Sequence, residues 1–242
     1  MTAELTRHRD LPRTDDLPAL PYRLALPMRT VARPYFRLRY DLHIHHEDRF
    51  PLTGPLLMTP NHLSLLDAPL LGAMAPRMLH QLGKIEVFGG FQGVFLRRIG
   101  QIPVDRSAYD VLAVRRSIQV LRDGRVLNIY PEGTRGPGDF GRIRSGVAYL
   151  AMVTGAPILP VALMGTRLPD GGVEGHPPTG SRIDVVYGEA FAVERVPFPR
   201  RHSDVQAVAD HIGDVLRAHV KAAVEETGHP LPGWRNQRDP HD

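Results

Sequence analysis

The chain contains no cysteine. That excludes disulfides, thiolate-held zinc and a thiol nucleophile, and it is compatible with a reducing compartment. Long hydrophobic runs are missing too. No stretch of about 18 apolar residues occurs, so no bilayer-spanning helix is expected. Residues 1–20 are charged and broken by proline, so they are not read as a secretion signal. Aromatics are few, at one Trp, 7 Tyr and 8 Phe. No arginine run interleaves with them as a nucleic-acid stacking platform would require, so no nucleic-acid partner is expected. Lysine is almost absent, with Lys84 and Lys221 the only two among 30 basic residues. Codon usage accounts for such a bias, although arginine also suits bidentate phosphate contacts. There is no G-x-S-x-G elbow, and Ser64 stands where a His-x-Lys-x4-Asp motif needs its lysine.

What is present fits one α/β domain. The chain has 242 residues, 42% hydrophobic and 23% charged, with a net charge of +4. This is a globular composition long enough for a substantial core. Strand and helix patterns alternate from residue 55 onward. Short apolar strands are expected at 55–59, 78–82, 101–104, 125–130, 157–163 and 182–187. Helices are expected from Ser64 to about Met74, over 87–99, from Ser107 to Gly124, over 145–154, and from Ser203 to Thr227. Residues 165–180, rich in Gly and Pro, read as a surface loop. The expected class is a single domain with a mainly parallel or mixed central sheet flanked by helices.

The N-terminal region is organised differently. Residues 1–20 read as a disordered lead-in and 229–242 as a flexible tail. Between Tyr22 and Tyr40, Leu24, Met28, Val31, Tyr35 and Leu38 step by four and three along one helical face. Arg29, Arg33 and Arg37 form a second stripe. With Arg23 and Arg39 they make five arginines between Asp16 and Asp41 and no acid. Pro27 suits the start of the helix, whereas Pro34 is expected to kink or divide it. Two readings stay open for residues 21–40. The helix packs on the domain core, or it lies in the plane of an anionic membrane, arginines to the headgroups and apolar face inserted.

Three clusters fall after expected strands, where open α/β sheets place ligands. "PNHLSLLD" (60–67) sets His62 five residues before Asp67. "GQIPVDR" (100–106) ends on Arg106. "YPEGTRG" (130–136) is a turn holding Glu132, Gly133, Thr134 and Arg135. "RIRSG" (142–146) adds Arg144 at a helix start, where free N–H groups favour an anion. A histidine, a carboxylate and several arginines at strand ends suggest proton abstraction beside a phosphate. The His62–Asp67 spacing alone is weak, because His43 and Asp48 repeat it, and Asp67 also fits a capping box with Ser64. His43, His45 and His46 invite a metal reading, but their spacing lacks a distant fourth ligand; a solvated edge strand is expected instead.

Taken in order, "PNHLSLLD", "GQIPVDR", "YPEGTR" and "ILPVAL" resemble the motifs of the glycerolipid acyltransferases, most of all 1-acylglycerol-3-phosphate acyltransferases. The resemblance covers about residues 22–193 and places the acyltransferase domain over 41–228. It implies that His62 is a general base oriented by Asp67 and that no covalent acyl-enzyme forms. It also implies that Asn61, Lys84, Arg106, Glu132, Gly133, Thr134, Arg135 and Arg144 bind substrate, with Arg106 and Arg135 clamping phosphate, and that Pro160 belongs to the acyl-binding side. No cofactor or metal is implied. The acyl donor would be acyl-CoA or acyl-carrier protein, and the acceptor a membrane lipid: 1-acylglycerol-3-phosphate, or alternatively a glycolipid or amino-acid-linked lipid. A peripheral place on the cytoplasmic face of the membrane follows. A non-catalytic anionic-lipid binding protein of the same fold is the rival from another class. The chain departs from the family in having Arg144 where lysine is frequent, and histidines in "LHIHHED" where a strand with glycine is usual.

Overall fold

The computed structural model describes residues 11–22, 24–169 and 171–233. Its chain order is α1 (Ala25–Arg39), β1 (Asp41–His45), β2 (Leu56–Pro60), α2 (Asp67–Met74), β3 (Leu79–Lys84), α3 (Gly90–Arg98), β4 (Ile102–Val104), α4 (Val111–Arg122), β5 (Val126–Asn128), α5 (Gly146–Thr154), β6 (Ile158–Met164), β7 (Arg182–Tyr187) and α6 (His202–Thr227), with single 3₁₀ turns at Glu47–Arg49 and Ile85–Phe88. The sheet runs β1-β7-β6-β2-β5-β3-β4. β6, β2, β5, β3 and β4 are mutually parallel, β7 is antiparallel to β6, and β1 is parallel to β7. The sheet is therefore mixed, with a parallel centre.

β2 and β6 are buried along their whole length, which explains why both read as unbroken apolar runs rather than alternating ones. Side chains still alternate between layers. Leu57 joins a core with α4, α5 and α6, whereas Leu56 and Met58 face the layer containing Leu71 of α2. Two helix starts differ from expectation. Asp110, not Ser107, caps α4, its carboxylate accepting from Ala113 N at 2.8 Å. α6 begins at His202, and Ser203 lies inside it.

α1 packs on α2 and β1 and runs undivided through Pro34, correcting the expected break. Its apolar stripe faces outward, and two of the three stripe arginines, Arg29 and Arg33, face inward, while Arg37 is exposed. Ala25, Arg29, Ala32, Arg33, Phe36 and Tyr40 face the protein, while Leu24, Met28, Val31, Tyr35 and Leu38 are exposed. Arg33 donates to the Ala73 and Ala75 carbonyls at 2.9 and 3.0 Å, and Arg29 also reaches Ala75. These carbonyls end α2, where the orphan acceptors and the negative end of the helix dipole both attract a cation. Arg23 lies outside the described residues.

Of the lead-in expected over 1–20, residues 1–10 lie outside the described residues, and 11–20 lie against α4. Arg115, Arg116, Gln119, Arg122 and Arg125 donate to the carbonyls of Arg13, Pro18, Leu17, Pro12 and Leu20, strapping this segment across α4. The start of the expected tail is docked as well, through His229 Nδ1 to Asp184 at 2.7 Å. β1 is an edge strand with His43 and His45 stacked on one face. His45 is not merely solvated, however. It shares the fully buried Asp184 with His229 and Arg182, and His46 pairs with Glu226 at 2.9 Å. Among the described residues no group of three His, Cys, Asp or Glu is placed to hold a metal ion.

Candidate active site

The sequence clusters converge at the carboxyl ends of the parallel strands. Residues 61–67 leave β2, and 130–136 follow the neighbouring β5. Lys84 closes β3 in register with Val104 of β4, and Arg106 follows two residues later. Parallel pairing thus delivers four motifs, far apart in sequence, to one edge.

At the centre, His62 Nδ1 lies 2.8 Å from Asp67 Oδ2. Asp67 is fully buried and opens α2 rather than occupying its third position. The same oxygen accepts from Leu63 N at 2.6 Å and Ser64 N at 2.9 Å, while Ser64 Oγ accepts from Leu66 N. One carboxylate therefore orients the imidazole and gathers the loop N–H groups that lead into α2, whose own first turn has no side-chain cap. A carboxylate accepting from Nδ1 fixes that nitrogen as the protonated one and leaves Nε2 as the basic one. His62 N donates to Glu132 Oε2 at 2.7 Å, and its carbonyl accepts from Gly136 N at 2.8 Å. Tyr130 stacks on the ring, with centroids 3.9 Å apart. Burial and the nearby Asp67 hold the Tyr130 phenol well above its ordinary range, so it stays neutral. Among the described residues only Nε2 of this ring has no protein partner, and the side chain is 19% exposed.

The expected substrate-binding residues divide by what they touch. Asn61 is not exposed to a ligand. Its fully buried amide donates to Gly138 O and Leu163 O and accepts from Leu163 N, tying the catalytic loop to β6. Glu132 is likewise a tie, being 6% exposed and holding His62 N. Burial pushes its carboxyl up to about 8, against backbone N–H groups of His62 and Phe140 that favour the ionised form. Gly133 stands at φ +72°, and a Cβ there would lie 2.1 Å from Arg144 Nε, so the turn admits only glycine beside that arginine. Arg106 Nη1 donates to Gly133 O at 2.6 Å, and Arg144 N donates to Pro131 O. Arg106 and Arg144 thus converge on Gly133, and Thr134 is half-buried beside it. Arg135 is directed elsewhere, with Nη1 3.3 Å from Val173 O in the 165–180 loop. That carbonyl also accepts from Leu65 N, so the loop is fastened over the start of α2. Pro160 pairs with Thr59 inside the sheet.

Tyr130 and Arg167 belong to this environment and carried no signal in the sequence beyond their places at strand ends. Arg167, just past β6, is 8% exposed, and burial draws its guanidinium below the ordinary value, opposed by Asp67 and Glu132.

Fold and site together define an α/β protein with a histidine held by a buried carboxylate, its Nε2 without a protein partner among the described residues, and with two arginines converging on Gly133. The comparisons agree with that class. The model of the family described as Acyltransferase matches residues 41–164, just over half of the chain, and the chain belongs to that family. A 1-acyl-sn-glycerol-3-phosphate acyltransferase of Bacillus subtilis is 28% identical over 130 residues, 53% of this chain and 65% of that protein. A lyso-ornithine lipid O-acyltransferase of Pseudomonas aeruginosa is 36% identical over 112 residues, 45% of this chain and 43% of its own. The chain thus spans less than two thirds of either relative. The crystal structure of the 1-acyl-sn-glycerophosphate acyltransferase from Thermotoga maritima superposes with a TM-score of 0.64 at 20% identity, covering 88% of this chain and 82% of that one, which shows a shared fold.

Proposed function

We propose that the protein transfers a fatty acyl group from a thioester donor, acyl-CoA or acyl-carrier protein, to the free hydroxyl of 1-acylglycerol-3-phosphate, forming phosphatidic acid. The single observation that carries this reading is the His62–Asp67 pair, with Nε2 left for a substrate hydroxyl. Nε2 takes the hydroxyl proton as the oxygen attacks the thioester carbonyl. The tetrahedral adduct then collapses, the C–S bond breaks, and the imidazolium returns the proton to the departing thiolate. No acyl-enzyme is needed, because the acceptor itself is the nucleophile. Arg106 and Arg144 would receive the acceptor's phosphate, two guanidinium groups converging on one backbone turn. Lys84 and Arg135 would join them once acceptor is bound.

The acceptor is a membrane lipid, so the active site must reach an interface. No helix among the described residues is long and apolar enough to cross a membrane. The exposed row of Leu24, Met28, Val31, Tyr35 and Leu38 on α1 supports a peripheral attachment by apolar insertion, and the cytoplasmic face is part of the same proposal. Arg29 and Arg33, occupied at the end of α2, are not the main attraction.

A second acceptor class, an amino-acid-linked lysolipid, is supported by the relative that acts on lyso-ornithine lipid. Both readings are tested by acyl transfer to a panel of lysolipid acceptors from each donor, with products weighed by mass spectrometry. Phosphatidic acid as the main product supports the first reading. Acylated ornithine lipid with no phosphatidic acid supports the second, and no acylated product from any acceptor overturns both.

A further inference from the structure

We propose that the protein carries a second lipid site, apart from the one around His62. It is an open cavity at the amino-terminal edge of the sheet, and it takes the phosphate and one chain of an anionic bilayer phospholipid. The inference goes beyond the acyl-transfer reading and does not depend on it.

The cavity has a volume of about 510 Å³, within the size range of small-molecule sites. Leu20, Pro21, Tyr22 and Leu24 form its apolar wall, and Arg98 and Arg125 supply its charge. Among the described residues no carboxylate lines it. Arg98 closes α3 on the way to β4, and Arg125 precedes β5, whose first residue pairs with Leu56 at the start of β2. The cavity therefore opens where the parallel strands begin, at the edge opposite His62.

Its walls are held by specific contacts. Arg125 Nη1 donates to Leu20 O at 3.0 Å, and its guanidinium lies 4.5 Å over the centre of the Tyr22 ring. Tyr22 in turn sets its edge against His80, with centroids 6.5 Å apart. Gly100 stands at φ +78°, and a Cβ there would come within 2.2 Å of Pro21 O, so this segment is seated against the turn before β4. A guanidinium carries more donors than one carbonyl takes, which leaves Arg125 able to share an anion with Arg98.

The surroundings of the cavity say where the anion comes from. α2 and α3 join β2 to β3 and β3 to β4, two parallel crossovers that step in the same direction along the sheet. The right-handedness of such crossovers puts both helices on one face, and α1 packs on α2 there. On α3, Phe91 and Val94 are 88% and 48% exposed. Steps of three and four, from Phe91 through Val94 to Arg98, make them one helical row. On α1 the exposed row begins at Leu24. Two outward apolar rows thus meet at the cavity, one ending in Arg98 and the other starting at Leu24. A free inorganic anion has no use for such surroundings. A lipid does, with its chain on Leu20 and Leu24 and its phosphate on two guanidinium groups. Cations set among exposed apolar side chains suit a surface lying in the headgroup layer of a bilayer.

The test reads binding to the full chain. Three soluble probes are compared: dihexanoyl phosphatidylglycerol and dihexanoyl phosphatidylcholine, both below their micelle concentrations, and glycerol 3-phosphate. NMR signals of the Tyr22 ring and of the Arg98 and Arg125 Nε–H groups report the cavity, and the His62 ring reports the other site. Phosphatidylglycerol should shift the cavity signals saturably. Arg98→Gln should weaken that binding about tenfold, the usual worth of a charge-assisted contact. Ala19→Glu, which sets a carboxylate on the exposed rim of the cavity, should weaken it as well and decides alone if Arg98→Gln does not fold. Phosphatidylcholine binding equally well would reveal an apolar groove without preference for an anion, and glycerol 3-phosphate doing so would reveal a plain phosphate site; either overturns the proposal. So does phosphatidylglycerol that moves only the His62 signals, or an affinity that neither substitution changes. No acyl transfer is measured, so a failure of the acyl-transfer reading leaves this result standing.

Discussion

Glu132 offers the sharpest stability test, because its folded and unfolded states bind protons so differently. Its carboxyl is raised from 4.5 to about 8 by burial. Between those values the folded protein holds a proton that the unfolded chain releases. The sign follows: stability from this group is fully present below about pH 4.5 and is lost as pH rises through about 8. The slope is about 1.4 kcal/mol per pH unit, so on the order of 3 kcal/mol disappears between pH 5 and pH 7. Glu132→Gln removes the titration while Oε1 can still accept from His62 N. Urea melts of both proteins at pH 5, 6, 7 and 8 give the difference curve, in which other titrating groups cancel, including the buried His80 and His219. Relative to wild type, the glutamine variant should gain stability steadily with pH. Parallel curves would show that the His62 and Phe140 N–H groups keep Glu132 ionised, and the argument from burial would be refuted.

Other outcomes are equally open to measurement. His62→Ala should lower kcat about 10²–10⁴-fold with the melting temperature kept, since that is the usual contribution of a positioned base; Asp67→Asn should be nearly as damaging and His43→Ala near neutral. Arg33→Gln should cost about 1–2 kcal/mol in denaturant melts through the lost α2 carbonyl contacts, whereas Val31→Asp with Leu38→Asp should leave stability unchanged but end flotation with liposomes. Unchanged flotation in that double variant would remove α1 as the membrane contact. Gly133→Ala should disturb the Arg106–Arg144 pair and raise the acceptor KM more than the donor KM, read by varying each substrate in turn.

The sheet was legible because six of its strands are short runs closed by turn residues, and in β2, β5 and β6 burial on both faces leaves such apolar runs little alternative. The His62–Asp67 pair was legible only in company, since spacing cannot tell it from His43 and Asp48; parallel pairing of β2 with β5 supplies the Tyr130 ring and Glu132 that separate the two. Asn61 and Glu132 illustrate a different limit. Motif membership marks them as belonging to the site, but whether a polar side chain faces substrate or backbone is decided by neighbours about 70 and 100 residues away. α1 shows that periodicity yields two faces without saying which is inward. Arg29 and Arg33 took the interior because α2 ends there with carbonyls to satisfy, while Arg37 of the same stripe stayed exposed. Arg167 had no local pattern at all, because its burial is decided by tertiary packing just past β6 and by the Gly233 carbonyl it meets.

The strap over α4 divides mutational freedom unequally between the two sides of one contact. Residues 11–20 are held chiefly through main-chain oxygens, at Pro12, Arg13, Leu17, Pro18 and Leu20, and these oxygens are supplied whatever the side chain. The side chains that grip them are four arginines and one glutamine on or just after α4. The segment can therefore drift in sequence while its helix cannot. A library randomised at 13, 15 and 17, sparing the buried Thr14 and the Arg115-paired Asp16, should return many folded variants, and one randomised at 115, 116, 119, 122 and 125 should return few. Sequence variability along this strap would then record which partner donates the hydrogen bonds, not which part of the chain is dispensable.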